Sequence, residues 1–223
     1  FMKIRSVLLD VGETLVGFRP LSFEKMMARL RSAGYFVSAK KTFRAISKVM
    51  AKHNFPNKVG LNPVDVRDLL YELGIYPSKE LKDKLAGDYV PSQDYFLYED
   101  AKEFLEYLYS KNIDIVLVTN ATRRMHDIID ELEIRKYVKG VIASCDVGLV
   151  KPNPRMFAYA LKYSSPPAIH IGDIYELDYL GAKRAGFEAL LLDRFGFYDD
   201  LNVDKVYNLK EAMTYLERKS MIV

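Results

Sequence analysis

The stretch SVLLDVGETLV, residues 6–16, joins a short apolar run to a carboxylate. Val7 to Leu9 are apolar, Asp10 follows directly, and the chain then becomes polar before Thr14. A charged side chain at the end of an apolar strand is costly unless another group pairs with it. The stretch therefore predicts a buried strand whose final carboxylate needs a partner elsewhere in the fold.

Apolar segments of this kind recur along the chain, and segments with helical spacing separate them. The predicted strands are 6–10, 113–120, 140–144, 167–173, 188–193 and a short one at 204–208. The predicted helices between and after them are 99–112, 122–134, 154–164, 176–186 and 209–218. Strands that alternate with helices predict an α/β fold, a Rossmann-like doubly wound parallel sheet covered on both faces.

One part of the chain departs from this alternation. Four segments with helical spacing and no strand follow the first strand, at 21–35, 39–54, 63–74 and 78–89. They predict a four-helix cap inserted into the α/β core. We expect the core to comprise residues 1–16 and 92–223, and the cap to comprise residues 17–91. The Lys and Arg residues of the cap helices are most simply interpreted as a solvated face.

The composition excludes several classes of partner. Lys and Arg number 33 against 30 Asp and Glu, a net charge of +3, and no dense basic run suggests nucleic acid. No apolar segment approaches the length of a membrane span. The single Cys145 excludes an intramolecular disulfide and fits a cytoplasmic location. Abundant Lys, Glu and Tyr, with no Trp, lean towards a thermophilic source. The sequence leaves monomer and homodimer open.

Polar residues follow several of the predicted strands. In an open parallel sheet, ligands bind beyond the carboxyl ends of the strands. The residues at or near those ends are Asp10, Thr119, Asn120, Lys151, Asp173 and Asp178. Carboxylate oxygens suit Mg²⁺, and a hydroxyl and a lysine suit phosphoryl oxygens. This set of groups predicts a site for a metal ion and a phosphate.

These residues occur in an order that resembles the haloacid dehalogenase-like (HAD) superfamily over essentially the whole chain. The segment DVGET at 10–14 is similar to the superfamily motif D-x-D-x-T, and Thr119 ends a strand as in the second motif. Lys151 precedes a proline as in the third, and Gly172-Asp173 with Asp178 resembles the fourth. The place of the insertion also resembles the helical-cap group.

The resemblance implies a Mg²⁺-dependent phosphatase that hydrolyses a small organic phosphomonoester. Asp10 would be the nucleophile and form an aspartyl-phosphate. Thr119 and Lys151 would bind the transferring phosphoryl group, and Lys151 would keep Asp10 ionised. Asn120 and Arg19 are further candidates for substrate binding, and Phe18 for substrate specificity. The implied Mg²⁺ ligands are Asp10, the backbone carbonyl of Gly12, Asp173, and Asp178 through water.

Gly12 departs from the superfamily pattern. Phosphatases of the superfamily usually carry a second aspartate at this position, which protonates the leaving group and then activates water. Three explanations are open: Glu13 replaces it as the catalytic acid, the enzyme is slow or limited to good leaving groups, or the reaction is a different one. Glu13 also has a simpler interpretation as a solvated turn residue.

Two alternative functions follow from the same residues. A metal-independent 2-haloacid dehalogenase would also use Asp10 as its nucleophile, but such enzymes tend to carry Ser-Asn where this chain has Gly172-Asp173. The non-enzyme alternative is a catalytically impaired binding module on the same fold. The three histidines have no metal-ligand spacing, and His170, within an apolar strand, is interpreted as a core residue.

Overall fold

The computed structural model describes residues 3–219 and Ile222. In this part of the chain the strands are β1 (Ser6–Leu9), β2 (Val16–Arg19), β3 (Asp94–Leu97), β4 (Asp114–Thr119), β5 (Gly140–Ala143), β6 (Ala168–Gly172), β7 (Glu188–Leu192) and β8 (Lys205–Val206). The α-helices are α1 (Ser22–Ser32), α2 (Ala39–Met50), α3 (Val66–Glu72), α4 (Lys79–Leu85), α5 (Glu99–Ser110), α6 (Arg124–Glu131), α7 (Ser144–Val147), α8 (Pro154–Ala158), α9 (Leu180–Arg184) and α10 (Leu209–Arg218).

Six strands form a parallel sheet in the order β5-β4-β1-β6-β7-β8. Successive side chains of β1 point to opposite faces of the sheet. Val7 and Leu9 pack with residues of α5, α6 and α10, whereas Leu8 packs with residues of α8 and α9. Helices therefore cover both faces, and the predicted α/β, doubly wound fold is confirmed.

The sheet order places the predicted site residues side by side. β1 lies between β4 and β6, and the three strands run in the same direction. Asp10 follows β1, Thr119 ends β4, and Asp173 follows β6. Because parallel strands end at the same edge, these three residues meet at one edge of the sheet.

The sequence did not predict the two-stranded antiparallel sheet of β2 and β3. We term this pair the hairpin, although α1 to α4 lie between its strands in the chain. Val16 pairs with Leu97 and Arg19 with Asp94. The two strands lie at the predicted ends of the cap, and they join the loop after Asp10 to the segment that returns to the core. With four residues each and no buried face along β3, they carry too short a periodic signal to be recognised.

Helices α1 to α4 have an apolar core of their own. Leu30 of α1 packs with Leu70, Leu81 and Leu85 of the following helices. A further cluster, of Leu21, Phe23, Phe43, Leu191 and Tyr198, joins α1 and α2 to β7 and the segment after it. These contacts place the four helices over the sheet edge that carries Asp10. The division into a core and a cap at 16/17 and 91/92 stays a prediction.

The segment predicted as a helix at 176–186 begins with a wider turn. A π-helical turn spans Tyr175–Tyr179 and precedes α9. In this turn the backbone N–H of Leu180 donates to the carbonyl of Tyr175, five residues earlier. The turn brings the Asp178 side chain back towards the end of β6, where the site lies. Among the described residues, no helix is both long enough and apolar enough to cross a membrane.

Candidate active site

Asp10 faces a buried lysine. Its carboxylate oxygen Oδ1 lies 2.9 Å from Lys151 Nζ, and its Oδ2 accepts a hydrogen bond of 3.3 Å from the Thr14 hydroxyl. Its backbone N–H donates to the carbonyl of Ile171 on β6 at 3.0 Å, which fixes the residue at the sheet edge. The partner that the apolar run before Asp10 requires is therefore Lys151.

Lys151 joins two carboxylates. Its side chain is 2% exposed, and Nζ lies 2.7 Å from Asp178 Oδ1 as well as 2.9 Å from Asp10. Burial alone would lower the pKa of Lys151, but the charges of Asp10 and Asp178 outweigh it and raise this pKa. The ammonium therefore stays charged at neutral pH and compensates two negative charges in the floor of the site.

Asp178 is held from several directions. Its Oδ1 is 2.8 Å from His170 Nε2, and its Oδ2 accepts from the backbone N–H of Ile174 at 3.0 Å. Burial would raise the pKa of Asp178, but the charge of Lys151 and the bond to His170 together hold it below its usual range. His170, interpreted from the sequence as a core residue, is buried in β6 and also orients this carboxylate. Its role was missed because it depends on the turn after β6.

Asp173 has an unpartnered carboxylate oxygen in the site. The residue is buried, and its Oδ1 has no hydrogen-bond partner among the described residues. Burial, followed by the negative charges of Asp10 and Asp178, raises the pKa of Asp173 well above its usual range. One carboxylate oxygen from each of these three residues lies within 4.8 Å of the others. A buried unpartnered oxygen beside two further carboxylates fits a hard divalent cation such as Mg²⁺.

Asn120 contacts the backbone around Lys151. Its Oδ1 accepts from the Lys151 N–H at 2.8 Å, and its Nδ2 donates to the Lys151 carbonyl at 3.1 Å. Asn62, from the segment between α2 and α3, donates to the same carbonyl at 3.0 Å and accepts from Asn120. Asn120, predicted as a substrate ligand, is thus part of a network that positions Lys151. Asn62 belongs to no motif, so no pattern in the sequence indicates its role.

Glu13 is not a solvated turn residue. Its Oε2 accepts from the backbone N–H of Phe18 at 2.9 Å, and its Oε1 accepts from Arg19 at 3.1 Å and from the Tyr98 hydroxyl at 2.8 Å. Arg194 donates to the Glu13 carbonyl at 3.1 Å. Both carboxylate oxygens are therefore engaged with the hairpin and with the residue that follows β3.

A cavity of about 660 Å³ lies between the four helices and the edge of the sheet. Its polar floor contains the predicted nucleophile, phosphoryl-binding and metal-binding residues, namely Asp10, Gly12, Thr119, Asn120, Lys151, Asp173 and Asp178. Phe18 and Glu13 also line it, as do apolar residues of α1 and α2. Arg19, predicted as a substrate contact, is not among the lining residues. It pairs with Glu13 and lies over the ring of Phe96.

A parallel sheet with a nucleophile-like aspartate, a buried lysine and an acidic cluster at one edge is the arrangement expected of a HAD hydrolase. The family model for haloacid dehalogenase-like hydrolases matches residues 4–186. The chain belongs to this family and is a hydrolase.

Individual relatives are distant, and they match either most of the chain or less than half of it. Haloacid dehalogenase-like hydrolase domain-containing protein 3 of Mus musculus is 28% identical over 208 residues, which cover 86% of this chain and 82% of the mouse protein. Ribulose-1,5-bisphosphate 5-phosphatase of Halopiger xanaduensis is 35% identical over 101 residues, 44% of this chain and 42% of that protein. The crystal structure of a HAD phosphatase from Thermococcus onnurineus superimposes with a TM-score of 0.60 at 22% identity, over 96% of this chain and 98% of that one.

Proposed function

We propose that the protein is a Mg²⁺-dependent phosphatase that hydrolyses a small organic phosphomonoester through an aspartyl-phosphate on Asp10. The observation that carries the proposal is the unpartnered oxygen of Asp173 beside Asp10 and Asp178. A metal-independent dehalogenase would gain nothing from three buried carboxylates at one point. The relative from Halopiger xanaduensis, named as a phosphatase, supports the same reaction class.

The reaction uses the floor of the cavity. The Asp10 carboxylate attacks phosphorus, the bond to the ester oxygen breaks, and the alcohol leaves as an alkoxide that takes a proton from water. Thr119 and Lys151 hold the phosphoryl oxygens, and the charge on Lys151 keeps Asp10 ionised for attack. Asp10 and Asp173 would hold Mg²⁺, which would supply positive charge to offset the repulsion between carboxylate and phosphate. Water then hydrolyses the acyl-phosphate, releases phosphate and regenerates Asp10.

The missing aspartate at residue 12 sets the preferred leaving group. Glu13, whose oxygens accept hydrogen bonds from Phe18, Arg19 and Tyr98, would have to break these bonds before it donated a proton. We therefore assign Glu13 to positioning the loop after Asp10. In this proposal no side chain acts as the general acid that protonates the leaving alkoxide. Such an enzyme favours aryl and acyl phosphates, whose leaving groups need no protonation.

The proposed partners, location and oligomeric state follow from the composition and the fold. A net charge of +3 without a basic run suits a small-molecule substrate, with no nucleic acid or membrane partner. We place the protein in the cytoplasm, as a monomer or homodimer. Movement of the cap, residues 17–91, would admit substrate and then exclude water from the aspartyl-phosphate.

The test is release of phosphate from phenyl phosphate and from ethyl phosphate, with Mg²⁺ and with chelator. We expect turnover that requires Mg²⁺ and favours the aryl ester, and an Asp10→Asn variant without turnover once mass spectrometry shows that it has not deamidated. A parallel assay measures chloride release from 2-chloropropionate. Chloride release without metal, and no phosphate release, would overturn the proposal in favour of the dehalogenase.

A further inference from the structure

Three cationic side chains outside the acidic cluster line the same cavity. Lys25 and Arg29 are one turn apart on α1, and Arg124 is the first residue of α6. Each is partly buried. The sequence suggested that cationic residues of the cap helices form a solvated face. Lys25 and Arg29 correct this expectation, because they face the cavity.

The partners of these cations in the structure are neutral. Lys25 Nζ donates to the carbonyl of Val90 at 2.7 Å, Arg29 to that of Leu85 at 3.2 Å, and Arg124 to that of Ser92 at 2.7 Å. None of the ion pairs found among the described residues includes any of the three cations. The carbonyls orient the side chains without compensating their charge.

The three charges also act on one another. Burial lowers the pKa of Lys25, and the positive charges of Arg29 and Arg124 lower it further. The exposed Asp88 lies on the cavity wall, but it forms no ion pair with the three cations. An ammonium has three donors and a guanidinium five, so donors remain after the carbonyl contacts. A bound anion would accept these donors and relieve the repulsion.

We infer that Lys25, Arg29 and Arg124 form a second anion site and that the substrate is a phosphomonoester with a further anionic group, a carboxylate. The inference rests on the proposed phosphatase function, in which Asp10 attacks the transferring phosphoryl group while Thr119 and Lys151 bind it. The second anion then lies at the cap end of the same cavity. Its contacts select the substrate, and the cap carries two of the three selecting side chains.

The experiment uses pairs of substrates that differ in the second anion. One pair is 2-phosphoglycolate and ethyl phosphate, and a longer pair is 3-phosphoglycerate and glycerol 3-phosphate. We expect kcat/KM to favour the member with the carboxylate in at least one pair by about tenfold or more, since a charge-assisted hydrogen bond is typically worth about tenfold in binding. Lys25→Met, Arg29→Leu and Arg124→Leu should each reduce this ratio.

The matched control is Arg31→Leu, which removes a positive charge from the exposed side of α1. It should leave the ratio unchanged. If the parent hydrolyses both members of each pair equally well, the second anion site is wrong and the phosphatase proposal stands. The same ratio loss in Arg31→Leu would also overturn the site, because it would reflect net charge.

A binding measurement separates the two proposals when no turnover occurs. Calorimetry on Asp10→Asn with Mg²⁺ measures the affinity for each of the four compounds without consuming them. Tighter binding of a compound with the second anion, lost in Asp10→Asn combined with Arg124→Leu, supports the site even if the parent releases no phosphate. Equal affinity within both pairs, or no binding at all, overturns it.

Discussion

Gly172 lies directly against the carboxylate of Asp178. A β-carbon at residue 172 would come within 2.2 Å of Asp178 Cγ, closer than any side chain can tolerate. The glycine lets the π-helical turn at 175–179 fold the Asp178 side chain back towards the end of β6. In that position Asp178 meets both Lys151 and His170. The Gly-Asp pair therefore supplies a metal-site carboxylate and the space for its neighbour.

Gly172→Ala should displace Asp178 and separate it from Lys151. We expect a loss of about 1–3 kcal/mol in the free energy of unfolding, as for other overpacked sites, and a loss of Mg²⁺-dependent phosphate release. Urea denaturation and phosphate assays measure the two effects. Gly12→Ala is the control for stability, because a β-carbon there has Phe18 as its nearest contact, at 3.8 Å. Equal stability of the two variants would contradict the steric argument.

Gly12→Asp should introduce the acid that this site lacks. Gly12 has no positive φ, and a β-carbon at this position meets only ordinary van der Waals contact with Phe18. A general acid is typically worth about 10²–10⁴ in rate. We expect kcat for ethyl phosphate to rise by about tenfold or more, with a much smaller change for phenyl phosphate. Gly12→Asn, which has the same shape without the proton, should show no gain; equal gains in both variants would contradict this explanation.

Glu13→Gln should loosen the hairpin without changing the preference for leaving groups. The amide keeps one acceptor oxygen but loses the charge that pairs with Arg19. We expect faster hydrogen exchange at the Phe18 amide and a loss of about 1 kcal/mol in stability. The ratio of phenyl to ethyl phosphate turnover should stay constant.

Tyr98→Phe provides a matched test of the same contact, because it removes one donor to Glu13 and leaves the charge. Burial raises the pKa of Tyr98 to about 12, so its hydroxyl remains a donor at every pH of the assay. The two variants should loosen the hairpin in the same way. A selective loss of ethyl phosphate turnover in Glu13→Gln alone would instead identify Glu13 as the catalytic acid.

Much of the fold was accessible from the sequence because buried parallel strands are continuous apolar runs. All six strands of the parallel sheet fall within the predicted strand segments. The helices that follow these strands lie where apolar residues recur at helical spacing. The hairpin of β2 and β3 was missed because alternate residues of β3 are exposed and the strands are short. Its existence depends on pairing between residues 75 to 81 positions apart, which a local pattern does not contain.

The candidate site also contains residues that the sequence predicted and residues that it did not. The structure brings Asp10, Lys151, Asp173 and Asp178 together, as their positions after strands had indicated. The groups that support them were not predicted. His170 reads as one more apolar-strand residue, and Asn62, Lys25 and Arg29 read as polar residues of a helical insertion. Their roles arise only when the insertion packs over the sheet edge.

The metal-free stability of the protein should depend on pH through Asp173. Burial raises the folded-state pKa of Asp173 above its unfolded value of about 3.9. Between these two values the folded state binds more protons than the unfolded state, so the free energy of unfolding falls as pH rises. Asp178 acts in the opposite sense: its folded-state pKa is lowered, and its contribution is lost only as pH falls below the unfolded value.

Asp173→Asn should therefore stabilise the metal-free protein at neutral pH, by about 1 kcal/mol or more, while removing the stabilisation that Mg²⁺ gives the parent. Urea denaturation from pH 5 to pH 8, with chelator and with Mg²⁺, measures both effects. Asp178→Asn is the matched control and should have the opposite sign, because it removes a negative charge that Lys151 needs. If Asp173→Asn destabilises the metal-free protein as much as Asp178→Asn does, the unpartnered Asp173 carboxylate is not the strained group of the site, and the argument for a cation at this point loses its physical basis.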